Sequence, residues 1–458
     1  MVSASSGPAI PATFQTGFPI RPDRLIAART PDDVREAVAY AAGHGLRLTA
    51  HATGHGLPGA VEGGVLVVTS GLDSVTVDPV ARTATIGAGA TWGAVTAAAA
   101  PHGLAPLNGS SPSVGAVSYT LGGGLGILAR QFGYAADQVR ALEVVTADGA
   151  LRRVTPEREP ELFWGLRGGG HRLGVVTSLE IGLVAVERLY GGAIAFDGER
   201  AAEVTARYLE WTRTVPETLT SSLSALPYPD LPQVPEEVRG RYVVSVRVAF
   251  TGDAAEGERL VAPLRAIGPA LEDSLREMPY TESPTIHNDP PFPHAYYGEG
   301  LMLRELDAAR AARVLELTGP GAPMMNVVQL NHLGGAMAGQ SEPASAVPYR
   351  DAGFLLRLLS PLDGTDVAAV RTLYGEVSGV LGPLVQGRAA NFCFGGGDRT
   401  AGFHEPETAK RLAGLVSQYD PAGLFGGLTR AEPSRAGVSR GGRAASRWSA
   451  GGPWPAPP

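Results

Sequence analysis

From Leu25 onward the chain alternates short apolar runs with periodic ones. Leu25-Ile26-Ala27-Ala28 reads as a strand. Thr30-Pro31-Asp32-Asp33 then opens a helix, with Thr30 as N-cap, Pro31 in the first helical position and acids in the first turn. Val34, Ala37, Val38 and Ala41 make its apolar stripe, and Gly43 or Gly45 ends it. Residues 46–50 form the next strand, so the chain opens as strand, helix, strand, an α/β beginning. Strands follow at 65–69 and 83–87, a helix at 92–100 and a strand at 175–181. Asp148-Gly149 separates the apolar runs 142–146 and 150–154 and predicts a hairpin. Near residue 190 the texture changes. Long strands at 242–250, 327–333 and 354–359 alternate with helical runs, separated by Pro-rich loops at 227–235 and 284–293. These predict a second, α+β domain. A helix around 407–419 resumes small, periodic packing. Residues 1–23 read as a loose arm and 431–458 as a disordered tail, for want of aliphatic residues. No repeat of fixed period is visible.

Composition narrows the function. With 458 residues and 44% hydrophobic positions, the chain has material for two or three domains. A net charge of −7 supplies no basic field for a phosphate backbone, so nucleic-acid binding is disfavoured. Lys410 is the sole lysine and follows no glycine-rich turn, which excludes a P-loop nucleotidase and leaves little room for Schiff-base chemistry. Cys393 stands alone, so no internal disulfide, CxxC pair or thiolate metal site forms. No run of about 18 apolar residues marks a membrane span, and Met1 to Pro11 lacks the pattern of a signal peptide. The expectation is a soluble, cytoplasmic protein.

Three glycine-rich loops carry the chemistry. The first, Thr53-Gly54-His55-Gly56-Leu57-Pro58-Gly59, matches GxGxxG literally. It runs into the strand at Val65 with no room for the crossover helix that a nicotinamide-binding fold needs. The second runs from Asn108 through Ser111-Pro112-Ser113-Val114-Gly115 to Gly122-Gly123-Gly124-Leu125-Gly126. Four glycines in five positions keep side chains away from a ligand approaching the main chain. The third is Arg167-Gly168-Gly169-Gly170-His171. Any one alone reads as a turn; three among short strands point to a large nucleotide-like cofactor. His51 and His55 have HxxxH spacing, but a strand-to-loop junction does not place them on one helix face, so a zinc site is rejected.

In order, these motifs resemble the berberine-bridge-enzyme-like FAD-linked oxidases, flavoproteins of the vanillyl-alcohol-oxidase or PCMH type. The resemblance rests on 52–56, 80–92, 112–115 with 121–126, 143–149 and 163–170, more weakly on 332–336, and on 419–425. It implies an α+β fold of two domains. A PCMH-type FAD-binding domain would use 1–190 and a return at 386–430. A substrate domain at 191–385 would lay a large antiparallel sheet, flanked by helices, over the flavin. It implies FAD held by Thr53, Gly54, Gly56, Leu57, Ser111, Pro112, Ser113, Val114, Gly115, Tyr119, Gly122, Gly123, Gly124, Gly126, Gly174 and Val176. His55 matches the histidine bonded to the flavin 8α-carbon, a link that withdraws electron density and favours hydride capture. A histidine that only contacts the flavin is the alternative. Ser111 stands where some members place a second, cysteinyl link, so a single bond is expected.

The chain also departs from the family. The Tyr-x-Asn pattern whose tyrosine acts as base matches Ala389-Ala390-Asn391 here. Asn391 keeps a place in the candidate site, and Tyr296 and His332 are candidate replacement bases. Of Gln329, Leu330, Asn331 and His332 on one strand, two face the flavin and two face away. The reading is an oxidase passing hydride from a small or medium organic molecule to FAD and then to dioxygen. Composition fits a GC-rich bacterium, and the substrate class expected there is a secondary metabolite. A homodimer is allowed. Rival readings are a flavin-dependent cyclase or oxygenating enzyme, a cofactor-free binding protein and a nicotinamide dehydrogenase.

Overall fold

The computed structural model describes residues 11–232, 234–395 and 401–426; the expected tail, and the first ten residues of the arm, lie outside the described residues. The rest of the arm is not loose. Gln15 is fully buried, and its amide donates to the Tyr296 carbonyl at 2.6 Å. Ile20–Arg21 pairs in parallel with Val61–Glu62. The arm carries few aliphatics, but its polar groups find partners in the body, which hydropathy does not register.

The chain opens as read. Helix Pro31–Gly43 has Thr30 as N-cap in a capping box with Asp33, and buries Val34, Ala37, Val38 and Ala41. It crosses between strands Arg24–Ala27 and Leu48–His51, which flank the fully buried Val65–Val68 in a parallel three-stranded sheet. A five-stranded antiparallel sheet follows, in the order Val75–Asp78, Thr83–Gly87, Val175–Gly182, Val139–Val145, Leu151–Val154. Its last pair is the Asp148-Gly149 hairpin. Gly149 alone there has positive φ, +76°, so the turn is not the mirror-image two-residue type.

Nine strands make the large antiparallel sheet. Its main path runs Glu272–Asp273, Arg188–Asp197, Tyr242–Phe250, Leu219–Pro227, Val327–His332, Phe354–Pro361, Tyr296–Leu303, Val385–Arg388. Strand alternation gives it two unlike faces. Val244, Val246, Leu223, Leu330, Leu356 and Leu358 share a buried core with helices Ala201–Trp211, Ala308–Thr318 and Val367–Leu381. On the other face the register sets Arg247 opposite Ser222 and Ser222 opposite Asn331, with Ser224, Gln329 and Arg357 in the next row.

The chain then returns to its first sheets. Leu412 and Leu415 of helix Pro406–Tyr419 join the core of the five-stranded sheet. Leu424 and Phe425 join that of the three-stranded sheet, where the Leu424 carbonyl accepts from the Leu48 N–H at 2.9 Å.

A buried ion pair ties the glycine-loop region to the large sheet. Arg350 donates to Asp137 at 2.5 Å, the two side chains being only 6% and 10% exposed. Asp137 also accepts from the Tyr134 N–H, and Arg350 reaches Gly339 O and Ser345 Oγ as well. Removing one partner strands a buried charge. Asp137→Ala is expected to lower stability by about 3 kcal/mol or more, measured by urea unfolding. Asp32→Ala, which breaks the exposed Arg35–Asp32 pair, is expected to cost under about 1 kcal/mol. Equal losses would contradict this view of the junction.

Candidate active site

The first glycine loop leaves strand Leu48–His51 and enters Val61–Glu62 with no helix between them. Gly54 has φ +73°, and a Cβ there would lie 2.0 Å from Thr13 Oγ1. The loop thus closes against the N-terminal arm. His55 is held on every side. Its Nδ1 lies 3.0 Å from Thr53 Oγ1 and its Nε2 3.0 Å from Ser113 Oγ, which is itself 3.0 Å from Ser111 Oγ. Phe14 stacks on the ring at 3.8 Å. The Tyr296 hydroxyl donates to the His55 carbonyl at 2.6 Å. Burial, then the charge of a protonated His294, holds the imidazole down to about 4, against a weaker opposing pull from Asp289. At neutral pH the ring therefore keeps a lone pair, which a nitrogen nucleophile needs.

Ser111 to Gly115 bring the second loop to this ring, and Gly115 faces Thr53 Oγ1, a Cβ there standing 3.5 Å away. Further along, several glycines make room for other parts of the chain. A Cβ on Gly122 would fall 1.8 Å from Asn391 Oδ1, and one on Gly124 2.6 Å from the Tyr119 ring. Gly126 and Gly174 are likewise crowded by protein backbone. Gly123 has φ +103° and turns the loop. Most of these glycines thus admit other parts of the chain. Open space lies instead over Gly56 and Gly170, which have no neighbour within 4 Å of a Cβ. Leu57 and Val176 are buried core residues. The third loop is stitched to the second: Gly168 and Gly170 both donate to the Leu121 carbonyl.

Asn391 donates to the Tyr119 carbonyl at 2.9 Å and so fastens the returning segment to the second loop. Tyr296 is a wall. Burial pushes its phenol well above the usual range, and its proton is committed to the His55 carbonyl. His332 stands apart from the cavity. It lies on its strand beyond Gln329 and Asn331, 2.9 Å from Arg130 Nη1, and does not line the cleft they share. Burial and the Arg130 charge lower its ring to about 3. Ala389 packs on Gly300 and brings no titratable group.

Between the second loop and the polar face of the large sheet lies a small cleft of about 40 Å³. Ser110, Leu125 and Gly126 form one wall; Ser222, Gln329 and Asn331 lie on the other. Arg247, Arg357 and His287 also line it, none of them singled out from the sequence. The signal was present as single arginines inside aliphatic strands, Val246-Arg247-Val248 and Leu356-Arg357-Leu358. Ser222 Oγ, Gln329 Nε2, Asn331 Oδ1 and His287 Nδ1 are buried without a hydrogen-bond partner among the described residues.

Comparison with known proteins bears on the cofactor. Residues 22–155 match the family model described as FAD binding domain. The chain carries an FAD binding domain. FAD is accordingly its cofactor, and the resemblance to FAD-linked oxidases stands. The chain is similar to (R)-6-hydroxynicotine oxidase of Paenarthrobacter nicotinovorans, 31% identical over 273 residues, 57% of this chain and 56% of that protein. It is similar along more of its length to an FAD-linked oxidoreductase of Dictyostelium discoideum, 23% identical over 89% of this chain and 88% of that one. In fold it matches a glucooligosaccharide oxidase from Acremonium strictum, with TM-score 0.76, 19% identity and coverage of 90% of this chain and 92% of that one. That oxidase is described with a 6-S-cysteinyl, 8α-N1-histidyl FAD. The α+β architecture is that of PCMH-type flavoproteins.

The residues present suit the cofactor. A neutral imidazole lies between the first two glycine loops, with the Ser113 hydroxyl on its Nε2 and the Ser111 hydroxyl behind that. In protein prepared without flavin, the His55 ring is expected to titrate near 4, against 6.5 for an ordinary histidine. Its folded value lies below the unfolded one. The ring therefore costs no stability above about pH 6.5, and it removes stability progressively as pH falls from there towards 4. NMR titration of the ring checks this; a midpoint at 6.5 or higher would contradict the burial argument.

Proposed function

We propose that the protein is an FAD-linked oxidase of a small or medium organic molecule, with its flavin joined to the chain by one bond, at His55. The observation carrying this reading is the neutral His55 ring, flanked by the Thr53 and Ser113 hydroxyls where the first two glycine loops meet. The match to (R)-6-hydroxynicotine oxidase spans about half of that protein, and it supports an oxidase activity and small organic substrates here. Ser111 lacks the thiol that a cysteinyl link requires. The cleft against the second loop is the substrate site in this reading.

When bound, FAD supplies a two-electron acceptor that takes hydride and delivers the electron pair to dioxygen as hydrogen peroxide. The chain's own residues orient and enclose. Tyr296 fixes the His55 backbone, and Asn391 fixes the second loop against the large sheet. Gln329, Asn331 and Ser222 offer unpartnered donors and acceptors to a substrate. Burial, then the Arg247 charge, holds His287 down to about 3, so it enters the cleft neutral. It is an acceptor for a substrate N–H or O–H and a weak base.

This last feature favours a second reading. Among the described residues, no side chain lining the cleft is a base poised near neutrality, as a flavin-dependent cyclase without net oxidation would tolerate. One assay separates the two. On anaerobic mixing with substrate, the visible flavin band is expected to bleach, and admitting air is expected to restore it with one peroxide per turnover. Product formed without bleaching or oxygen uptake would replace the oxidase with the cyclase.

A further inference from the structure

Two guanidinium groups face the cleft from opposite sides. Arg247 lies on strand Tyr242–Phe250 and Arg357 on Phe354–Pro361, with two strands between them in the sheet. At about 4.8 Å per strand spacing, their backbones stand roughly 14 Å apart, and both side chains reach into the same cavity. Neither forms an ion pair with a carboxylate among the described residues. Arg247 makes one long bond to the His287 carbonyl, 3.4 Å, and Arg357 one to Gln329 Oε1, 3.2 Å. The Arg357 guanidinium lies 4.0 Å over the Phe392 ring. About ten N–H donors are available on two such groups, and most find no protein acceptor.

The surrounding charge is small. Asp289 accepts from Ser110, which lines the cleft, and its charge acts on both arginines. Two cations and one anion leave one net positive charge in a cleft otherwise lined by neutral groups. The row between the arginines, Ser222, Gln329 and Asn331, carries unpartnered polar atoms. Buried polar and charged groups of this kind are kept where something completes them. A monoanion balances the site. A dianion such as a phosphate monoester would add an unbalanced charge facing the Asp289 carboxylate.

We infer that the cleft takes an organic carboxylate, its charged group seated between Arg247 and Arg357 over the Ser222 hydroxyl and the Gln329 Nε2 donor, and a planar or apolar body against Phe392 and the Leu125–Ile127 wall. This rests on the reading of the cleft as the substrate site. Forked guanidinium groups bind carboxylate oxygens in pairs, which selects a carboxylate over its neutral isostere.

The test uses holoenzyme as purified, with benzoate as probe and benzamide as its neutral isostere. Binding is read twice, by calorimetry and by perturbation of the visible flavin band. Benzoate is expected to bind at least tenfold more tightly than benzamide. Arg247→Gln and Arg357→Gln are each expected to weaken benzoate tenfold or more while leaving benzamide within about twofold. Equal binding of the two probes to the wild-type protein would overturn the inference without any variant. So would variants that shift the flavin reduction potential yet keep the preference for benzoate, since the arginines would then serve the cofactor. A preference for benzoate by calorimetry with no change in the flavin band would retain an anion site but remove it from the flavin, and would overturn the proposal as stated. Benzoate selectivity in a protein that fails the oxygen assay would instead leave the anion site standing and remove the oxidase reading.

Discussion

The site depends on one junction between loops from different sheets: the Ser113 hydroxyl set on Nε2 of His55. The first loop carries no helix or strand, whereas the second carries helix Ala116–Leu121 and pairs at Gly115 with Thr91. The first is pinned from behind by Thr13 and Phe14 of the N-terminal arm. The second is pinned by Asn391 on the Tyr119 carbonyl, and by two N–H groups of the third loop on the Leu121 carbonyl. A polar segment thus acts as a structural brace. The same packing takes water away from the imidazole and keeps it neutral.

The large sheet supplies the other half by alternation alone. One face is aliphatic and covered by helices; the other carries arginine, serine, glutamine and asparagine in register. A polar face enclosed in a protein is stable only with partners. Several of these groups lack one within the described residues, which is why the cleft reads as a place for a ligand. In the proposed function the loops and the sheet contribute different things: a cofactor cradle from the first, and substrate recognition from the second.

Much of this is legible in the sequence. The opening strand–helix–strand, the helix cap at Thr30, the Asp148-Gly149 hairpin and the long second-domain strands follow from local pattern, and each appears. His55 stands out by its place in an ordered set of motifs. The arm does not, because its order comes from Gln15 meeting Tyr296, 281 residues away. The purpose of Gly122 and Gly124 is hidden for the same reason: their close neighbours, Asn391 and the Tyr119 ring, are set by tertiary packing. His332 is half legible. Alternation allows either face, and the choice is made by Arg130 from a different part of the chain. Arg247 and Arg357 are readable without a structure, since each is a lone charge in an aliphatic strand, but no motif draws attention to them.

The central claim is a neutral His55 that carries the flavin through a single bond. Its most direct measurement is the mass of the intact chain under denaturing conditions, followed by peptide mapping. The expected result is a chain heavier by one FAD, with the flavin on the peptide containing His55 and none on the peptide containing Ser111. An unmodified chain with free FAD in the supernatant, or a flavin attached elsewhere, would contradict it.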